Sequence, residues 1–275
     1  MNIRCIALDL DRSTLNAQGK LSPGNREALL CAMEQGVHIV IASGRSFHSL
    51  PPDVTALPGI EYAITGNGSA VYRLSDGALL HRFLMTPASI EAVLQKTASE
   101  RLSYEAFVDG HGYAQQDYIE DPVAFGATEA AVPYIQSNRL PVDDIKAFIR
   151  EHIHELTSLD LVLYSEEQCR RLWQQLQAAI PELYITSSVT RLLELSHKDG
   201  GKHAGLRFLA ERLGLQPQEL AAFGDGDNDA DMLRYVGCGI AVENATPACK
   251  AAADHVTLHH DQDGVAYGIH RFLHL

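Results

Sequence analysis

The 275-residue sequence has no closely spaced cysteines. Its five, Cys5, Cys31, Cys169, Cys238 and Cys249, are far apart, odd in number and never in a CxxC pair. This fits reduced thiols in a cytoplasmic protein better than a disulfide framework or a zinc site. No apolar run approaches the ~18–20 residues needed to span a bilayer. No signal peptide is expected either, because Asp9 interrupts the first apolar stretch almost at once. Positive charge is in deficit: 22 Lys and Arg against 35 Asp and Glu leave a net charge of −13. Such a chain is a poor partner for nucleic acid or an anionic membrane, and it binds phosphate only with local help from a metal, a lysine or backbone N–H groups. The HExxH spacing is missing too, so the histidines of EHIHE at 151–155 and the pair His259–His260 are read as surface residues. There is no internal repeat and no low-complexity segment. What remains is an ordinary globular composition, 46% hydrophobic and 21% charged, long enough for one large or two ordinary domains.

The chain is organised around CIALDLDRSTL at 5–15. Cys5, Ile6, Ala7 and Leu8 read as a short parallel strand buried on both faces. It ends on Asp9 and Asp11, which strand alternation would put on one side. Two carboxylates so close repel unless a cation lies between them. Ser22-Pro23 then opens a helix with Ala28, Leu29, Ala32 and Met33 on one face and Gly36 as its stop. Val37–Ala42 is a second strand, ending in Ser43-Gly44-Arg45, and YAIT at 62–65 a third, ending in Gly66-Asn67-Gly68. A hairpin around Ser75-Asp76-Gly77 follows.

The texture changes near residue 83. Helices from Thr86-Pro87, near 144–152, and from the capping box Ser165–Gln168 alternate with strands at 102–108, 112–116, 158–164, 183–187 and 191–196. Residues 117–142, with Pro122, Pro133 and Pro141, are read as irregular, and His111 and Tyr113 as loop residues beside the Asp109-Gly110 turn. Residues 83–189 are therefore expected to be an inserted α+β domain, with 1–82 and 190–275 as the α/β core. From about 190 the core resumes: an amphipathic helix from Lys202 to Leu213, a strand Leu220–Phe223 ending in Gly224-Asp225, a short helix over 228–235, a strand Gly239–Val242 and a closing helix Gly264–Leu273.

Parallel strands bring their carboxyl ends to one edge, so Asp9/Asp11, Ser43-Gly44-Arg45, Asn67 and the Asp225–Asp229 run can converge, with Lys202 nearby. Carboxylates suit a hard ion such as Mg²⁺, while a hydroxyl, a lysine and loop N–H groups suit phosphate oxygens. Together they describe phosphoryl transfer.

DLDRSTL (9–15), IASGR (41–45), the Lys202 region and AFGDGDNDADML (222–233) resemble, in this order, the four motifs of the haloacid dehalogenase superfamily. GCGIAVENA, AADHVT and DGVA match its closing pattern. Within the superfamily the chain resembles the Cof-type phosphatases, which have a Rossmann-like parallel-sheet core and an inserted C2B-type α/β cap. The resemblance implies an Mg²⁺-dependent phosphatase of small phosphorylated metabolites, with sugar phosphates the first expectation and nucleotides, flavin mononucleotide and pyridoxal phosphate open beside them. Asp9 would be the nucleophile and Asp11 the general acid and base. Asp9, the Asp11 carbonyl and Asp225 would hold Mg²⁺, with Asp229 orienting that shell. Ser43, Gly44, Lys202 and Asn228 would bind phosphate, and Arg45 and Asn67 would contact phosphate or substrate. Two alternatives remain: a phosphomutase or phosphotransferase on the same fold, and a low-activity phospho-ligand binding protein. One residue departs from the pattern. Arg12 stands where the family usually has glycine, and three outcomes stay open: it points outward, it reaches toward substrate or cap, or it slows turnover.

Overall fold

A computed structural model of the protein describes residues 2–275. The strands, numbered in chain order, are β1 (Cys5–Leu8), β2 (His38–Ala42), β3 (Tyr62–Thr65), β4 (Ala70–Arg73) and β5 (Leu79–Arg82). Then come β6 (Ser103–Val108), β7 (His111–Gln115), β8 (Arg139–Val142), β9 (Leu156–Val162), β10 (Leu183–Thr186) and β11 (Leu192–His197). The last three are β12 (Leu220–Gly224), β13 (Cys238–Ala241) and β14 (His255–Val256).

The chain divides into two compact units. The first comprises residues up to Arg45, Leu50–His81 and Gly201–Leu275. Its eight-stranded sheet runs β14-β13-β12-β1-β2-β3-β4-β5. All pairings from β14 to β3 are parallel, and the β3–β4 pairing is antiparallel. The central strands are buried along their whole length, as their continuous apolar runs require. Cys5, Ala7, Val40, Ala42 and Ile64 pack with Leu206, Leu209 and Ala210 of the helix Lys202–Leu213 and with Met232 and Leu233 of the helix Ala230–Tyr235. The helices Pro23–Glu34 and Gly264–Gly268 pack against each other. Ser22 caps the former by accepting from Asn25 N–H, with Pro23 in its first turn.

The second unit comprises Arg82–Gly200 together with Ser46–Ser49. Its six-stranded sheet runs β10-β11-β9-β6-β7-β8 and is antiparallel except for β7–β8. One face buries Tyr104, Ala106, Leu159, Leu161, Leu193 and Leu195 in an apolar core shared with Ile90, Val93, Ile149, Leu172 and Leu176 from three helices. The cross-strand row Glu105–Asp160–Glu194 lies at adjacent register positions of β6, β9 and β11. Arg139 donates to Glu105 Oε2 at 2.7 Å through Nε, and Tyr118 donates to its Oε1 at 2.7 Å.

Three expectations need correction. The boundary at 189/190 falls too early, because β11 pairs with β9 and β10 and belongs to the second sheet; the first unit resumes at Gly201. The stretch 117–142 is not irregular. It holds the helices Gln116–Glu120 and Val132–Asn138 and then β8, with Pro133 in a first helical turn and Pro141 on an edge strand, both places that tolerate proline. His111 lies on β7 rather than in a loop, beside Tyr113, which falls within the expected strand 112–116, and the His111 ring stacks on His48 at 3.9 Å.

Candidate active site

Strands β12, β1, β2 and β3 are parallel neighbours, so the residues that follow them share one edge of the first sheet. Asp9 follows β1, and its N–H donates to Phe223 O of β12 at 3.0 Å. Its carbonyl accepts from Thr14 Oγ1 at 2.5 Å, which closes the loop on itself. Ser43 follows β2; its N–H donates to Ile64 O at 2.9 Å and its Oγ accepts from Arg45 N–H at 3.2 Å. Asn67 follows β3 with a left-handed φ of 53°, and its N–H donates to Ser43 O at 3.1 Å. The two loops are thus zipped together by backbone bonds. Asn67 Oδ1 accepts from Asn228 Nδ2 at 2.9 Å, tying them to the loop after β12.

Two glycines permit the close approaches. Gly68, at φ 96°, lies so near the Gly201 carbonyl that any Cβ would overlap it, which brings the start of the Lys202 helix against the Asn67 loop. A Cβ on Gly224 would sit 2.5 Å from Asp229 Cβ, so glycine lets that carboxylate fold back beside β12.

Lys202, 1% exposed, donates to Asp9 Oδ1 and to Asp229 Oδ1, both at 2.6 Å. Asp229, fully buried, also accepts from Asp225 N–H and Gly226 N–H on Oδ2, each at 2.9 Å. Carboxylate oxygens of Asp9, Asp225 and Asp229 lie within 4.8 Å of one another. A cation at a helix start opposes the helix dipole, and the two carboxylates it bridges supply the reason for it. With all three acids ionised the group carries −3 + 1 = −2.

The electrostatics register this excess. Burial first, then the Asp229 charge, push the Asp9 carboxyl well above the usual carboxylate range, against the pull of Lys202. Burial and Asp229 raise Asp225 to about 7, opposed by Arg12 and Lys202. Burial pulls the Lys202 ammonium down, but Asp229 and Asp9 outweigh it and hold its pKa above the ordinary lysine value. Asp9 Oδ2 is buried and receives no hydrogen bond. An orphaned carboxylate oxygen amid two further carboxylates, all hard donors, fits a divalent cation of the Mg²⁺ type.

The expected residues separate into three groups. Asp9, Lys202, Asp225 and Asp229 form the cluster. Ser43, Asn67 and Asn228 are buried in the loops around it, with Gly44 beside Asn67. Asp11 and Arg45 form a pair of their own: Arg45 Nε and Nη2 donate to the two Asp11 oxygens at 2.8 and 2.7 Å, and the Asp11 side chain is 51% exposed. The expectation that Asp9 and Asp11 share one side fails because regular strand ends at Leu8; beyond it Asp9 is buried and Asp11 is turned to solvent. Asp227, a neighbour without a predicted role, accepts from Thr246 Oγ1 at 2.6 Å. Thr14 was missed as a loop-closing residue, and its hydroxyl in the DLDRSTL motif was the available signal. His260 is buried rather than at the surface, with Nδ1 2.8 Å from Leu15 O. His152 and His154 are not buried, and His152 Nδ1 meets Glu155 at 2.8 Å.

A family model described as haloacid dehalogenase-like hydrolase matches residues 6–269. The chain is similar to the phosphatase YwpJ of Bacillus subtilis, 29% identical over 96% of this chain and 98% of that one. It is also similar to the 5-amino-6-(5-phospho-D-ribitylamino)uracil phosphatase YwtE of the same organism, 28% identical over 98% of each. Among solved structures, a haloacid dehalogenase-like hydrolase from B. subtilis superposes with a TM-score of 0.84 at 25% identity, covering 98% of this chain and all of the other.

Proposed function

The chain belongs to the haloacid dehalogenase-like hydrolases as a Cof-type phosphatase, and from that premise we propose an Mg²⁺-dependent phosphomonoester hydrolase working through Asp9. The observation that carries the reading is the buried Asp9–Lys202–Asp229 bridge with Asp225 beside it and one Asp9 oxygen left without a donor.

Asp9, Asp225 and the Asp11 carbonyl would hold the cation, which supplies charge neutralisation for the incoming phosphate when bound. Lys202 fixes the Asp9 carboxylate by one oxygen and offers the phosphoryl group a positive charge. Asp229, held by two backbone N–H groups and Lys202, orients the cluster. The Ser43 hydroxyl, Gly44 N–H and Asn228 amide, in the surrounding loops, would donate to phosphoryl oxygens.

In the first step an Asp9 oxygen bonds to phosphorus. The ester P–O bond breaks, and the leaving oxygen takes a proton from Asp11, which must first part from Arg45. In the second step water attacks the aspartyl-phosphate. Asp11 takes the proton, the Asp9–phosphorus bond breaks, and inorganic phosphate leaves.

The substrate is a small phosphorylated metabolite, and the second unit would act as the cap that selects it. Sugar phosphates lead, and the ribityl phosphate in the name of one relative is a polyol phosphate of the same kind. Five free cysteines fit a reducing cytoplasm, and no helix among the described residues is long and apolar enough to cross a membrane. The test is phosphate release from a panel of phosphomonoesters with Mg²⁺. The parent should release phosphate from at least one. Asp9→Asn should release none, and an Asp9→Asn variant as active as the parent would refute the assignment.

A further inference from the structure

Arg12 has a left-handed φ of 60°, a conformation that costs a non-glycine residue free energy. Its backbone is held independently of its side chain, since Arg12 O accepts from Asn244 Nδ2 at 2.8 Å and Asn244 Oδ1 in turn accepts from His260 N–H at 3.1 Å. The loop geometry fixed in this way sends the guanidinium to Asp225, with Nε 3.8 Å from Oδ2. The Arg12 side chain is 62% exposed while that of Asp225 is 10% exposed, so the contact lies at the mouth of the acid cluster. Lys202 is committed to Asp9 and Asp229, which leaves Arg12 as the side-chain cation that pairs with Asp225 among the described residues.

We propose that Arg12 is a built-in competitor for the divalent cation: its guanidinium shares Asp225 with the ion and weakens the ion's hold on the site. This rests on the cation reading of the acid cluster given above. The physical content is linkage. A positive charge beside a ligand carboxylate stabilises the ion-free state and repels the incoming ion, and both effects lower apparent affinity. Because Arg12 is largely exposed, water screens it, and the effect is that of one charge at about 4 Å in a high-dielectric surround: roughly five- to tenfold in affinity. Glycine at this position would leave Asp225 to the ion alone. Arginine makes occupancy responsive to cation concentration over a higher range.

The experiment is calorimetric titration of the full chain with MgCl₂ at low ionic strength, without substrate, for the parent, Arg12→Gly, Arg12→Asn and Arg12→Lys. Asparagine tolerates the left-handed conformation and removes the charge, so it separates charge from backbone strain. Gly and Asn should each tighten Mg²⁺ binding roughly five- to tenfold, Lys should stay within about twofold of the parent, and the gain should shrink in about 0.5 M salt. Equal affinities across the set overturn the proposal. Tightening by Gly but not by Asn also overturns it, assigning the effect to strain. Mg²⁺ binding that persists in Asp225→Asn, or is absent from every form, overturns the cation reading of the cluster itself, a failure distinguishable from that of Arg12 alone.

Discussion

Replacing Lys202 with methionine removes the only ammonium among three buried carboxylates while keeping most of the side-chain volume. In the parent, Nζ lies 2.6 Å from Asp9 Oδ1 and 2.6 Å from Asp229 Oδ1, with Lys202 itself 1% exposed. Without it, Asp9 Oδ1 joins Oδ2 as a buried acceptor with no donor, and the three acids face one another with no internal charge to offset them. Breaking a buried ion pair from one side costs about 3–5 kcal/mol. For a chain this long, at about 2 °C per kcal/mol, that is roughly a 6–10 °C fall in Tm. Circular dichroism melts at pH 8 in a chelating buffer measure it. The acids can escape the penalty by binding protons, so the deficit should narrow at pH 5. It should also narrow when Mg²⁺ is added, since the ion supplies the missing charge. A Lys202→Met protein that melts within about 1 °C of the parent at pH 8 would refute the reasoning, because the bridge would then hold nothing.

The cluster also sets a pH dependence for the parent without cation. Asp225 is raised from 3.8 to about 7, and Asp9 is raised well above 3.8. A folded pKa above the unfolded one means that the native state binds the proton more tightly, so this stability is present below about pH 4 and is lost as pH rises through about 7. For Asp225 alone the ceiling is on the order of 4 kcal/mol. Melts in chelating buffer should therefore fall between pH 5 and 8, and saturating Mg²⁺ should flatten the fall; a flat profile without cation would count against the buried, mutually repelling acids. In the second unit, Arg139→Met strands the buried Glu105 carboxylate and should cost about 3–5 kcal/mol in urea denaturation followed by Trp173 fluorescence. The double variant with Glu105→Gln should recover most of that loss. Recovery of none would mean that the pair is not coupled.

Much of this site was legible because apolar runs are short and end abruptly. β1, β2 and β12 give way directly to Asp9, Ser43 and Asp225, and β3 to Gly66-Asn67, and parallel topology then forces Asp9, Ser43, Asn67 and Asp225 onto one edge. Lys202 was legible for a similar reason, since a cation at a helix start needs a partner. The position of Asp11 was not, because alternation holds only inside a strand and the chain leaves extended geometry at Leu10. The second boundary was misplaced because LLELSH carries the same apolar signature as a core strand; its pairing with β9 is a long-range choice that no local pattern encodes. The helices within 116–138 are five and seven residues long, too short for periodicity to show, and Pro133 in the first turn of the second reads as a breaker. The Arg12–Asp225 contact joins residues 213 positions apart through a left-handed turn, which the presence of arginine alone does not announce.

The central claim is that Asp9 carries the phosphoryl group. Rapid acid quench during turnover of the best phosphomonoester, followed by borohydride reduction and peptide mass spectrometry, reads it directly. The account predicts reduction of residue 9 to homoserine, in the parent and only with substrate and Mg²⁺ present. An enzyme that turns over while Asp9 remains unreduced, with the label on another residue or on none, would contradict it.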